Sequence, residues 1–108
     1  MAEISVTINP QGKPSPKYIK INAGDIVTFR ARGTEVLLCF RDLTIFGTND
    51  LYIPKNTDAD VTVQDRAKKG PFKYTIIAGN PDARCPQGGG TGSGGEGGGG
   101  EVGGGDMD

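Results

Sequence analysis

The sequence predicts an all-β domain, a β-sandwich of about seven short strands, followed by a glycine-rich tail. Three observations predict it. Apolar and polar residues alternate with a period of two, as Ile4, Val6 and Ile8 do among Glu3, Ser5 and Thr7; this is the spacing of a half-buried strand. Turn signals built from glycine, proline, asparagine and aspartate separate these runs at spacings of roughly ten residues. No segment carries an apolar stripe at helical spacing. That combination belongs to sandwiches rather than to mixed folds.

Each element follows from local chemistry. The alternation of residues 3–8 is stopped by Asn9-Pro10, and Pro14 and Pro16 hold the next stretch extended. Tyr18-Ile19-Lys20-Ile21 reads as a second strand, closed by the turn Asn22-Ala23-Gly24-Asp25. Val27, Phe29 and Ala31 then face one way and Thr28, Arg30 and Arg32 the other, with Gly33 marking the next turn. Val36-Leu37-Leu38-Cys39-Phe40 is a continuous apolar run, as in a strand covered on both faces. Ile45-Phe46 and Leu51-Tyr52-Ile53 are short apolar pieces in a loop-rich connection that contains Gly47 and Pro54. Val61 and Val63 alternate with Thr62 and Gln64, residues 65–69 are expected to form one helical turn, and Phe72-Lys73-Tyr74-Thr75-Ile76 is the seventh strand.

The 108 residues allow one domain. All seven aromatics precede residue 75, whereas 13 of the 19 glycines lie in residues 88–105. A segment with so little to bury does not offset the entropy of ordering it. Residues 1–87 are therefore read as the folded domain and residues 88–108 as a disordered, acidic tail. Charge divides at the same place. Residues 1–87 hold all 12 Lys and Arg against 9 of the 13 Asp and Glu, a net +3, and the tail holds the other four acids. Neither value points to nucleic acid or a membrane surface. The one basic grouping, Arg66, Lys68, Lys69 and Lys73, has no aromatic stacking platform interleaved with it and reads as a solvated loop. Met1 leads directly into Ala-Glu-Ile-Ser-Val, without a basic region and apolar core of a secretory signal, so the expected location is the cytoplasm, or the periplasm if a leader has been removed.

Two segments carry a resemblance. Tyr18-Ile-Lys-Ile-Asn-Ala-Gly24-Asp25-Ile-Val-Thr-Phe29 resembles the strand–turn–strand of cupredoxins, and Gly70-Pro-Phe72-Lys-Tyr74-Thr-Ile76 resembles the strand that leads into their copper loop. The resemblance spans about residues 4–85 and implies a Greek-key sandwich, with an immunoglobulin- or fibronectin-like sandwich as the alternative. A blue-copper site takes two imidazoles and a thiolate, often with an axial thioether. The family pattern places these ligands at Leu37, Ile76 and Gly79, with the axial position near 82–84, and the chain contains no histidine. A copper-free member is implied. The family also closes with one more strand of the type Gly-x-Val-x-Val. Here residues 80–86 run into polyglycine, so that strand is expected to be missing or the topology to differ.

The remaining candidates are few. Cys39 reads as a small buried hydrophobe and Cys85 as a loop thiol beside Arg84. Their pairing is a lesser alternative, since the family fold brings the two regions near one another but a cytoplasmic chain meets a reducing medium. Two thiols alone do not make a zinc site. Asp58 and Asp60 resemble half of a calcium loop that lacks its glycine and distal glutamate. Gly88-Gly89-Gly90-Thr91-Gly92 lacks the lysine and helix of a phosphate loop. No acid–base or nucleophilic constellation is visible, so no enzyme, metal or cofactor is expected. If the closing strand is absent, the strand through Thr75 and Ile77 is left as an open edge where a partner strand, or a second copy, docks. The expectation is thus a non-catalytic interaction module, monomeric or weakly dimeric, with a possible protein partner. The rival is a thiol-based redox or metal-handling protein using Cys39 and Cys85.

Overall fold

The computed structural model describes residues 2–40, 42–82, 84–85 and 97–103. Among them are nine strands: β1 (Glu3–Ile8), β2 (Pro14–Ser15), β3 (Tyr18–Ile21), β4 (Ile26–Ala31), β5 (Val36–Phe40), β6 (Asp50–Ile53), β7 (Asp58–Thr62), β8 (Gly70–Ala78) and β9 (Gly97–Val102). They form two mixed sheets, one ordered β2-β1-β4-β7 and the other β3-β9-β8-β5-β6. β1 runs parallel to β4 and β3 parallel to β9; the other neighbours are antiparallel.

The alternation predicted from the sequence selects the inner faces. Val6 and Ile8 from β1 and Val27, Phe29 and Ala31 from β4 meet Leu38, Phe40, Tyr74 and Ile76 of the other sheet in one core, giving an all-β, sandwich-like fold. Phe29 is the centre of an aromatic group, with ring centroids 5.6 Å from Tyr74, 6.1 Å from Phe40 and 6.2 Å from Phe46. Such offset pairs add to simple burial.

The Gly24-Asp25 turn has a clear physical basis. Gly24 takes a φ of 91°, which side chains resist. The Asp25 carboxylate, 5% exposed, accepts from the amides of Ala2 at 3.0 Å and Asn22 at 2.8 Å, fixing β1 to the turn that enters β4.

Two local expectations change. Residues 65–69 contain a turn at Asp65 and Arg66 rather than a helical turn. β7 begins at Asp58, earlier than the Val61/Val63 alternation implied, because its outward acids have cross-strand partners. Asp58 sits 2.9 Å from Arg32 and 3.8 Å from Arg30, and Asp60 accepts from the Thr28 hydroxyl at 2.6 Å.

The largest correction concerns the tail. Residues 97–103, expected to be unordered, include β9, which lies between β3 and β8. A strand thus follows residues 80–86, where the closing strand was expected to be missing or the topology to differ, and it is made of four glycines, Glu101 and Val102. Gly98, Gly100 and Val102 face inward. The rest of the expected tail, residues 88–96 and 104–108, lies outside the described residues.

Glycine is required in β9 by close approach rather than by flexibility. A Cβ at Gly97 would lie 2.5 Å from the Tyr74 carbonyl oxygen, and one at Gly99 2.6 Å from that of Phe72. One at Gly100 would fall on the Ile19 carbonyl oxygen, and one at Gly98 on the Tyr74 hydroxyl. The Tyr74 ring thus fills the inward volume that β9 leaves empty at Gly98. Tyr74 contributes at a cost: its hydroxyl is buried without a hydrogen-bond partner, and burial pushes its pKa upward.

Candidate functional site

The two cysteines are the first correction at the site. Cys39, read as an unpaired buried thiol, is joined to Cys85 in a disulfide, with Cα atoms 5.5 Å apart and 46 residues of separation. β5 explains how. Val36, Leu38 and Phe40 point into the core, so the alternate residues Leu37 and Cys39 lie on the outer face of the five-stranded sheet. Cys85, beyond the end of β8, lies against that face, its sulfur 3.8 Å from the Leu38 carbonyl oxygen. Alternation placed Cys39 beside Leu37 in the sequence; nothing local in the sequence placed Cys85 above them.

The positions that the family pattern assigns to copper do not converge. Leu37 is on the outer face, whereas Ile76, paired with Leu38, is fully buried in the core. Gly79 lies past the end of β8, where its amide donates to the Glu35 carbonyl at 3.0 Å. Among the described residues no three His, Cys, Asp or Glu side chains form a group able to hold a metal.

Thr75 and Ile77 occupy β8, which is an interior strand. Thr75 pairs with Cys39 on one side and with Gly97 on the other. The open edge expected there is therefore occupied from Gly70 to Thr75 by β9. Ile77 pairs with Leu37, and Leu37 pairs with Tyr52, so Ile77, Leu37 and Tyr52 form one apolar row across the outer face. Tyr52 is 53% exposed and Leu37 only 9%. Arg66, Lys68 and Lys69 lie in the segment entering β8, where the Lys68 amide donates to the Thr44 hydroxyl at 3.2 Å.

β9 also makes one outward contact. The Tyr18 hydroxyl donates to the Glu101 carboxylate at 2.5 Å, and this bond, with a little desolvation and the carboxylate's charge, raises the Tyr18 pKa. The contact needs the protonated phenol. It is complete below the ordinary tyrosine pKa and is lost as pH rises through the raised folded value. Glu101→Gln is expected to bring the Tyr18 titration back toward the ordinary tyrosine range, read by ultraviolet difference absorption against wild type. An unchanged Tyr18 titration would mean that β3 and β9 are not paired in this register.

No family model matches the chain, and no curated protein matches its sequence.

Proposed function

We propose that the protein is a copper-free domain of cupredoxin type that works as a non-catalytic interaction module, using the outer face of its five-stranded sheet. The strand order supports the family reading. β3, the turn at Asn22 to Asp25 and β4 coincide with the first matched segment, β8 coincides with the second, and β9 follows the loop as the family's closing strand does. The interaction reading is carried by Tyr52, 53% exposed at the end of the row Ile77–Leu37–Tyr52, in which Ile77 is half-buried and Leu37 buried. A disulfide fits an oxidising compartment better than the cytoplasm.

Copper is the direct test of the first part. Leu37, Ile76 and Gly79 offer neither imidazole nor thiolate. Added Cu(II) is expected to produce no intense blue absorption and no upward shift in Tm. A blue species at one equivalent would contradict it. For the second part, proteins captured from an extract of the source cells by wild type are expected to be lost with a Tyr52→Ala, Ile77→Lys double variant. An identical captured set would reject this face.

The disulfide also favours one second reading, a dithiol–disulfide redox protein. Catalytic turnover between a dithiol and a model disulfide would select it; a single stoichiometric reduction would select the module.

A further inference from the structure

Among the described residues the two sheets offer another chain four edges, and each is blunted. β2 is two residues long and is followed by Pro16. β7 carries Asp58 and Asp60 outward, so a second β7 laid antiparallel about Asp60 would set carboxylates opposite one another. On β6 the Thr48 hydroxyl accepts from the Asp50 amide at 3.3 Å and donates to the Asp50 carbonyl at 2.8 Å, and Pro54 follows the strand. β3 has four residues, with Lys20 exposed on it.

The slot between β3 and β8 is different. Its occupant β9 gives the core a single side chain, Val102, 4% exposed. The rest of its hold is main chain, as where the Gly99 amide donates to the Lys17 carbonyl and the Gly103 amide to the Ile21 carbonyl. The slot is also selective. A Cβ at position 97 or 99 would meet a carbonyl oxygen of Tyr74 or Phe72, and one at 98 or 100 would clash with the Tyr74 hydroxyl or the Ile19 carbonyl. It therefore takes four glycines in a row, then an outward residue and an inward apolar one. That run occurs once in the chain, at residues 97–102. A second copy supplies the same segment.

We propose that two copies of the chain exchange β9, each filling the slot of the other. Residues 86–96 join Cys85 to Gly97, and a segment of that length spans roughly 40 Å when extended, enough to enter an adjoining copy. The Cys39–Cys85 link precedes it and stays within each copy. The exchanged pair keeps every β9 contact of two single chains, Tyr18 with Glu101 included, so concentration sets the balance between them. The exchange depends neither on the outer face of the sheet nor on the cupredoxin reading.

The test uses two full-length variants. Gly100→Val keeps the slot but carries a strand that does not fit it. Phe29→Asp keeps the strand but loses the core, since Phe29 is 0% exposed at the centre of the aromatic group. Each alone is expected to lack a cooperative urea transition. Refolded together in equimolar amounts in a glutathione buffer, they are expected to recover that transition at about half the wild-type amplitude, one folded domain for two chains. A Phe29→Asp, Gly100→Val double variant in place of Phe29→Asp should restore nothing. For the wild type, sedimentation equilibrium should show a dimer fraction that rises several-fold as the concentration approaches about 1 mM. A mixture that behaves as the sum of its two unfolded parts would overturn the proposal even if the wild type dimerises, since the dimer would then use another surface. So would a wild type that stays monomeric over that range. Gly100→Val that folds alone would overturn it as well, because the slot would then not require glycine.

Discussion

Gly100→Val is expected to expel β9 and to remove cooperative unfolding at ordinary temperature. The valine Cβ would clash with the Ile19 carbonyl oxygen, a backbone atom of the neighbouring strand that cannot swing aside. The strand must leave its slot, and with it the cover on Phe72 and Tyr74. Half-exposing two aromatic side chains returns roughly 200 Å2 to water, about 5 kcal/mol at ~25 cal/mol per Å2. That is most of the stability such a small domain holds, about 5–10 kcal/mol. Urea unfolding followed by circular dichroism should show no native baseline. Glu101→Ala, on the outward side of the same strand, should unfold cooperatively near wild type. Equal behaviour of the two variants would mean that the glycine run is not packed between β3 and β8.

Opening the Cys39–Cys85 bond is expected to lower stability by up to about 4 kcal/mol, the chain-entropy value for a loop of this length. The segment it ties contributes little packing of its own, so the loss comes mainly from a freer unfolded chain. The urea midpoint should fall on reduction, and the double serine variant should unfold at the midpoint of the reduced wild type. Coincident oxidised and reduced curves would mean that the bond does not form in solution.

Much of the fold was legible because the sheets bury one face each. Ile4–Val6–Ile8 and Val27–Phe29–Ala31 state the strand period and the inner face in their side chains. Gly24-Asp25 states a turn whose carboxylate holds two amides. β9 was illegible for the opposite reason. Its packing is carried by what its neighbours do, by the Tyr74 ring over Gly98 and the carbonyls of Ile19, Phe72 and Tyr74 beside the other glycines, and a residue without a side chain has no period to display. The residual signal was Glu101-Val102: an isolated valine interrupting polyglycine, now inward in the core with an outward glutamate beside it. Missing β9 then made Thr75 and Ile77 look like an edge. The disulfide was illegible because Cys85 lies beyond the end of β8, and pairing across 46 residues leaves no local pattern. What the alternation did announce at the site was that Cys39 and Leu37 share a face; that this face is the outer one is a finding of the structure.

The account turns on whether a run of glycines is a strand inside the sandwich. Amide hydrogen exchange in the oxidised full chain, resolved at Gly99 and Gly103, measures that most directly. The Gly99 amide donates to the Lys17 carbonyl at 3.0 Å and the Gly103 amide to the Ile21 carbonyl at 2.7 Å. Docked β9 predicts that both exchange as slowly as amides of β3, opening only with the sheet. Exchange of both at the rate of an unstructured peptide, with β4 and β5 amides protected, would contradict it.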